Sequence, residues 1–367
     1  MAVVWFFIHP YMEDIIMVQL HTSVNDQLCV GIDLHRDTMT VACLDPRTGE
    51  VTFRKLACKC RTQITEYFST LPRPHSVAIE AVGFYRWLWD LLEPIVDELH
   101  LADATRCRAL AATRPKTDRQ DALNVADLMA AGRLPIAYAP PMHVRELRDW
   151  TRHRNGLARS HARVLTRVQS IMNANNRPGP KRAKADALIR YVKAHGTLLP
   201  QRHVRMLWLA VDQLTVIERQ IDDAERTITG LLADEKFVTV DTLLRSIPGV
   251  GPVTSATAIA ELGDLTRFTD RKQITRYAGL NPRTFDSADK QRTGRISKAG
   301  PRQLRWVLQQ AAWCARRDHP IFRKRFGQLS KRVGKAKAGV AIARKLLLCM
   351  WAVVRDGKPY RPVGDAG

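Results

Sequence analysis

Leu28-Cys-Val-Gly-Ile-Asp-Leu34 is followed, after the polar break His35-Arg-Asp37, by Thr38-Met-Thr-Val-Ala-Cys-Leu44. Two short apolar runs separated by a few polar residues predict a β-hairpin. One carboxylate, Asp33, stands inside the first run, where an ionised group is costly unless it is paired or holds a metal. Working outward, Val51–Ala57 has the composition of a third strand, and Ile64, Tyr67, Phe68 and Leu71 give Thr62–Leu71 helical spacing. His75-Ser-Val-Ala-Ile-Glu80 is again strand-like, an amphipathic helix is expected over Trp87–Leu99, and Leu101-Ala-Asp103 forms a last short strand. Hairpin strands, helix, strand, helix, strand is the order of an α/β sheet.

Farther along, Thr117-Asp-Arg-Gln120 has the pattern of a capping box opening a helix over Asp118–Ala131. Pro135 and Pro140-Pro141 then mark a boundary, so residues 28–140 are expected to form the first domain. His143–Asn176 is long, basic and helical in pattern, with apolar residues at Leu147, Trp150, Leu157, Val164, Leu165 and Val168. Arg177-Pro-Gly-Pro180 interrupts it, and a second helical stretch runs from about Arg202 to Asp234. An antiparallel helical pair is expected over 141–238, either an internal bundle or a dimerising coiled coil. Residues 239–367 form the expected C-terminal domain, mostly α. Within it Ile247-Pro-Gly-Val-Gly251 separates two helical patterns, as in a helix-hairpin-helix, where Gly249 and Gly251 let backbone N–H groups approach a phosphate. A plain joint between helices is the alternative.

Lys and Arg number 58 against 36 Asp and Glu, for a net charge of +22. The excess is concentrated: residues 151–210 hold thirteen Lys/Arg and one acid, and residues 301–367 hold sixteen and three. Such segments suit phosphate contact, because neutralising phosphates releases counterions. The seven cysteines are dispersed with no paired zinc spacing, Cys58-Lys-Cys60 included, and suggest reduced thiols in a cytoplasm. Met1–Leu20 carries an apolar patch interrupted by Glu13 and Asp14, too short for a membrane span and without a basic leader. A start at Met17 would explain its lack of pattern, and residues 1–27 are set aside as an extension.

Four carboxylates stand out. Asp33 lies on the first strand, Glu80 ends a later one, and Asp118 and Asp121 are one helical turn apart. Two hard cations need several carboxylates converging from rigid elements. Strand Asp, strand Glu and helical Asp-x-x-Asp make the pattern of a ribonuclease-H-like or RuvC-like nuclease; Asp37, Asp90, Asp103 and Asp127 are possible substitutes. A second region, Tyr277 to Gly300, is dense in Gly, Pro, Lys and Arg and is expected to be loops of defined shape. Arg283, Lys290, Arg292, Arg295 and Lys298 could stabilise a phosphate attacked by a serine, Ser287 or Ser297, although neither is singled out by its own surroundings.

Taken in order, Gly31-Ile-Asp-Leu-His35, Ile79-Glu-Ala81, Lys116-Thr-Asp-Arg-Gln-Asp-Ala122, Ile247-Pro-Gly-Val-Gly-Pro252, Glu261-Leu-Gly-Asp264, Tyr277-Ala-Gly-Leu-Asn-Pro282 and Ile296-Ser-Lys-Ala-Gly300 resemble the transposases of the IS110/IS1111 insertion-sequence family, which includes the Piv-type DNA invertases. The resemblance implies a RuvC-like (RNase H-like) domain with a metal-binding DEDD set at Asp33, Glu80, Asp118 and Asp121, using two Mg2+ ions. It implies a C-terminal transposase domain whose serine links transiently to DNA. That serine falls on Ser287, although the family's Ser-Gly is Ser287-Ala288 here, which leaves Ser297 as an alternative. It further implies DNA as substrate and an element-encoded guide RNA. With the two sites on different domains, a composite site across a dimer or tetramer in the bacterial cytoplasm, at the nucleoid, is expected. A site-specific invertase, a Holliday-junction resolvase-like hydrolase and an inactive nucleic-acid-binding remnant are the rival readings.

Overall fold

The computed structural model describes residues 26–110, 117–180, 183–287 and 290–362, with the backbone alone over 284–293. Of the expected extension 1–27, residues 1–25 lie outside the described residues. The chain divides into two compact units, Met1–Ala139 and Pro140–Gly367. No helix among the described residues is long and apolar enough to cross a membrane.

In the first unit five strands, β1 (Leu28–Leu34), β2 (Thr38–Leu44), β3 (Val51–Ala57), β4 (His75–Glu80) and β5 (Glu98–Ala102), lie in the order β3-β2-β1-β4-β5. β1 pairs antiparallel with β2 and parallel with β4, which pairs parallel with β5. The helices are α1 (Arg61–Ser69), α2 (Arg86–Leu92), α3 (Ala104–Leu110) and α4 (Asp118–Ala130). Strand side chains alternate between faces, and each face has its own cover. Val30, Ile32, Leu34, Val77 and Ile79 pack with Ile64 and Phe68 of α1 and Leu88 and Leu92 of α2. Cys29, Ala42 and Ala78 pack with Ala122, Val125, Ala126 and Met129 of α4.

Two expectations need correcting. The helix expected over Trp87–Leu99 stops at Leu92. Pro94 has no N–H to continue it, and Glu98–Ala102 pairs instead with β4, from Ser76↔Glu98 to Glu80↔Ala102. The last strand is therefore 98–102 rather than 101–103. Asp103 does not belong to a strand; its side chain accepts from the N–H groups of Thr105 and Arg106 and caps α3.

α4 approaches β1 closely at Gly31. A Cβ built there would lie 2.1 Å from the Ala122 carbonyl oxygen and 2.7 Å from the Ala126 nitrogen. Only a residue without a side chain lets α4 lie directly on β1.

The second unit contains α5 (Met142–Ala174), α6 (Ala185–His195), α7 (Gln201–Leu232), α8 (Glu235–Arg245), α9 (Pro252–Leu262), α10 (Arg271–Tyr277), the strands β6 (Pro282–Ser287) and β7 (Lys290–Ile296), and α11 (Arg302–Asp318), α12 (Pro320–Val333) and α13 (Lys335–Asp356). α5 and α7 are antiparallel: Arg154 meets Glu225, His161 meets Glu218 and Arg167 meets Gln213, one index rising as the other falls. The segment 141–238 is not set apart as a unit, since Val144, Leu147, Ile228 and Leu232 join the core built by α8–α13. The far half of the pair has a separate core, Val164, Val168 and Met172 with Leu188 and Val192 of α6 and Leu207, Val211 and Leu214 of α7. The loops expected between Tyr277 and Gly300 contain an antiparallel hairpin, β6–β7, paired from Pro282↔Ile296 to Ser287↔Lys290.

Replacing Gly31 by Ala puts a methyl group into the α4 backbone, an overpacking cost on the order of 3 kcal/mol. The melting temperature should fall by roughly 10 °C; a fall under about 1 °C would mean that the α4–β1 approach is not fixed at Gly31.

Candidate active site

The α4 face of β1 carries Cys29, Gly31 and Asp33 in alternation, and that of β4 carries Ser76, Ala78 and Glu80. The parallel register runs through Gly31↔Ala78 and Ile32↔Ile79, so Asp33 and Glu80 come next, side by side at the strand ends on the same face. Above them begins α4. Thr117 is its N-cap, accepting from the Gln120 N–H at 3.2 Å, and Asp118 and Asp121 occupy the first turn. The capping box is half formed, because the Gln120 amide donates to Asn124 at 2.8 Å. The positive end of the helix dipole attracts negative charge to this first turn. The close seat at Gly31, one pleat below Asp33, sets how near they come.

One cleft of 470 Å3 is lined by Asp33, Glu80, Asp118 and Asp121 together with His35 and Arg108. All four predicted carboxylates are therefore brought together, and none of Asp37, Asp90, Asp103 or Asp127 lines the cleft. Asp33 is 6% exposed. Its carboxylate is 3.1 Å from the His35 Nε2, which is also 3.4 Å from an Asp118 oxygen. Ligand atoms of Asp33, His35 and Asp118 all lie within 4.8 Å of one another. Arg108 of α3 is 3.6 Å from Glu80. His35 and Arg108 were not among the sequence's candidate site residues. Two-residue alternation from Asp33 is the signal for His35; Arg108 had none.

Burial pushes the Asp33 carboxyl above its ordinary range; His35 opposes this, while Glu80, Asp121 and Asp118 add to it by like-charge repulsion. A buried carboxylate crowded by three others, with one imidazole, is a hard-donor set that fits a divalent cation.

In the second unit the two glycine-bearing loops interlock. The Ser297 N–H donates to the Asn281 carbonyl at 2.9 Å and the Lys298 N–H to that of Gly279 at 3.1 Å. Arg305 of α11 donates to the carbonyls of Ala278, Ala299 and Gly300. This frame holds the base of the β6–β7 hairpin. The Ser297 hydroxyl donates to Asn281 Oδ1 at 3.1 Å, and Arg283 donates to the Ser297 carbonyl at 3.2 Å. Lys298 and Arg295 are exposed. Ser287 and Lys290 form the last backbone rung at the other end of the hairpin. The side chains of Ser287, Lys290 and Arg292 lie outside the described residues. Glu261, 1% exposed, accepts from Arg152 of α5 at 2.7 and 2.9 Å, and its carbonyl accepts from the Tyr277 hydroxyl. At Gly249, with φ +83°, an added Cβ would meet the Ala311 carbonyl at 2.6 Å, so that glycine faces α11, whereas Gly251 has open space there.

Residues 30–175 match the family model of the DEDD transposases of IS110, and residues 241–327 match the model described as the transposase IS116/IS110/IS902 family. The chain belongs to the IS110 family of transposases. It is 28% identical to a "Probable family 20 transposase" of Pseudomonas aeruginosa, over 91% of this chain and 98% of that one. It is 24% identical to the transposase of insertion sequence element IS1328 of Yersinia enterocolitica, over 90% and 98%, and 23% identical to that of IS1111A of Coxiella burnetii, over 92% and 93%. As an IS110-family transposase its substrate is DNA, and the five-stranded sheet carrying the DEDD match gives the first unit a ribonuclease-H-like class.

The raised Asp33 pKa means that the folded protein holds this proton more tightly than the unfolded chain does. Without metal, the stability from Asp33 is fully present at acid pH and is lost as pH rises through the folded-state value. Asp33→Asn should therefore melt a few degrees higher than wild type near neutral pH, with the gap closing towards about pH 4. Added Mg2+ or Mn2+ should raise the melting point of wild type and leave Asp33→Asn unmoved. An equal metal shift in both proteins would remove Asp33 from the ligand set.

Proposed function

We propose that this IS110-family protein is the transposase of a bacterial insertion sequence that cleaves and exchanges DNA strands with Ser287 as nucleophile, Mg2+ as cofactor and an element-encoded guide RNA. The observation that carries the reading is the convergence of Asp33, Glu80, Asp118 and Asp121 on one cleft. These four carboxylates hold the metal, probed above by thermal shift. Bound there, two Mg2+ ions would neutralise the charge that develops on the phosphate oxygens during an in-line displacement.

Ser287 supplies the attacking oxygen. Its proton passes to one of the four carboxylates as the bond from Oγ to phosphorus forms. The phosphorus–oxygen bond to one sugar of the phosphodiester breaks, and the departing sugar oxygen takes up a proton. A sugar hydroxyl from the second strand then attacks the phosphoserine, restoring the phosphodiester and releasing the serine. Support for Ser287 over Ser297 comes from the Ser297 hydroxyl, which is engaged with Asn281 at the base of the hairpin. Arg283, Lys290, Arg292, Arg295 and Lys298 share the hairpin and its flanking loop and offset the phosphate charge. The basic segments 151–210 and 301–367 bind the element ends, the target DNA and the guide RNA. Gly251, open above the α9 N-terminus, admits a phosphate at the helix-hairpin-helix-like turn, while Gly249 lets that turn seat on α11. The working form is a dimer or tetramer acting at the nucleoid.

The test is a denaturation-resistant protein–DNA adduct, sought with purified protein, co-purified RNA, Mg2+ and labelled DNA spanning the element ends. The adduct should form with wild type and Ser297→Ala and should fall at least about 100-fold with Ser287→Ala and Asp118→Ala. Loss with Ser297→Ala alone moves the nucleophile to Ser297. Strand cleavage with no adduct in any variant replaces the serine with water.

A further inference from the structure

Helix α11 buries Leu304, Val307, Leu308, Ala311, Ala312 and Ala315. Apart from the terminal Asp318, its exposed positions are Arg302, Trp306, Gln310, Trp313 and Arg317, spaced by four, four, three and four residues, so these five form one stripe along the outer face. Two tryptophans at the centre of a solvent-facing stripe are unusual, because a free surface helix gains nothing from exposing indole. Trp306 is 37% and Trp313 41% exposed. Trp313 is held in place on one side: the Arg316 guanidinium lies 3.8 Å from its ring centroid and 4.6 Å from that of Phe326. The two indoles are two helical turns apart, about 10.5 Å. Between them Gln310 offers a donor and an acceptor together.

The stripe runs between two basic clefts. At its N-terminal end Arg302 joins His153, Arg159 and Arg163 of α5 around a cleft of 730 Å3. Among the described residues, none of those three arginines is paired with a carboxylate. At its C-terminal end Arg316, Arg317, Arg323 and Phe326 line a second cleft of 400 Å3, where Arg317 is paired with Asp318. Among the described residues no carboxylate lines either cleft, and Asp318 beside the second is engaged with Arg317.

We propose that this face of α11 is a stacking platform for an unpaired DNA strand, its bases on Trp306 and Trp313 and its phosphates entering the two arginine clefts. Alternation of cation, indole, amide, indole and cation matches a polymer that is anionic along its backbone and flat and aromatic along its bases. Every base has a π-face, so such a platform takes any sequence. A duplex keeps its bases stacked on one another and offers these indoles nothing. Strand cleavage and exchange leave unpaired DNA, so the inference rests on the DNA-transposase reading and adds the surface that holds the opened strand.

The test titrates the full-length protein into a labelled DNA strand of mixed sequence, into the RNA strand of the same sequence and into a DNA duplex of equal length, by fluorescence anisotropy at several salt concentrations. Trp306→Ala and Trp313→Ala should each weaken single-strand binding by about tenfold. The slope of log affinity against log salt should stay unchanged, because no phosphate contact is lost. Duplex affinity should stay within about twofold. Trp313→Phe, which keeps an aromatic face beside Arg316, should recover most of the loss, and melting curves confirm that each variant is folded. Unchanged single-strand affinity, a parallel fall on duplex, or a loss confined to an RNA strand of the same sequence each overturns the proposal. Failure of wild type to bind any DNA removes the transposase reading itself.

Discussion

The seat of α4 on β1 is the contact from which the first unit's chemistry follows. A parallel and antiparallel sheet can place two carboxylates at neighbouring strand ends by register alone, as it does for Asp33 and Glu80. Bringing the helical pair Asp118 and Asp121 to the same cleft requires the helix axis to come closer than any side chain at position 31 permits. The cost of that closeness is electrostatic as well as steric. The three acids around a nearly dry Asp33 repel it, and His35 and Arg108 only partly offset them. The site is held together by apolar packing beneath it, with Ala122, Val125 and Ala126 of α4 against the sheet, and not by attraction within it. A functional centre that opposes its own fold must be imposed by a rigid frame.

The family's recurring motifs divide by what they do here. Gly31-Ile-Asp33, Ile79-Glu80 and Thr117-Asp-Arg-Gln-Asp121 deliver carboxylates. Glu261, the interlocked loops at Gly279 and Gly300, and Arg305 deliver no reacting group; they tie backbone to backbone. Glu261, 1% exposed, is the most deeply placed acid among the described residues of the second unit. Its fork of bonds from Arg152, together with Arg148 donating to the Ala260 carbonyl, pins the root of α5 to α9. A buried pair of this kind adds little net stability but fixes which surfaces meet. The hairpin carrying Ser287 is thus founded on this polar lattice as well as on the apolar core that Leu280 joins and Ile296 packs against.

What could be read from sequence follows the same division. Apolar alternation bounded by polar turns gave away β1 to β4 almost to the residue, and the carboxylates at their ends were visible as charges where charge is expensive. The hairpin at 282–296 was hidden because its strands lack an apolar face: Thr284 opposes Thr293, Asp286 opposes Gln291, Ser287 opposes Lys290, and the lone Phe285 opposes Arg292, which together give no period-two signal. α6 was missed because its buried stripe is short, chiefly Leu188 and Val192, beside a Pro- and Lys-rich break. The over-extended helix at 87–99 failed for the opposite reason, since its apolar spacing continued past Pro94 into residues that pair as a strand. Arg108 could not have been found, because its place depends on a helix started by Asp103 and on the sheet edge beside it.

The separation of the α5–α7 pair into two cores bears on how such a protein can change. α7 is 32 residues long, about 48 Å, and its near end is set in the body of the unit while its far end is set only against α5 and α6. Seven residues make close to two turns and return each face to within about 20° of its former direction. Inserting or deleting that length in both helices together would carry the far core outward or inward as a block, leaving the glutamate lattice and the hairpin undisturbed. The arm is in this sense a ruler with its own graduation, free to be recut by evolution without renegotiating the chemistry at its base.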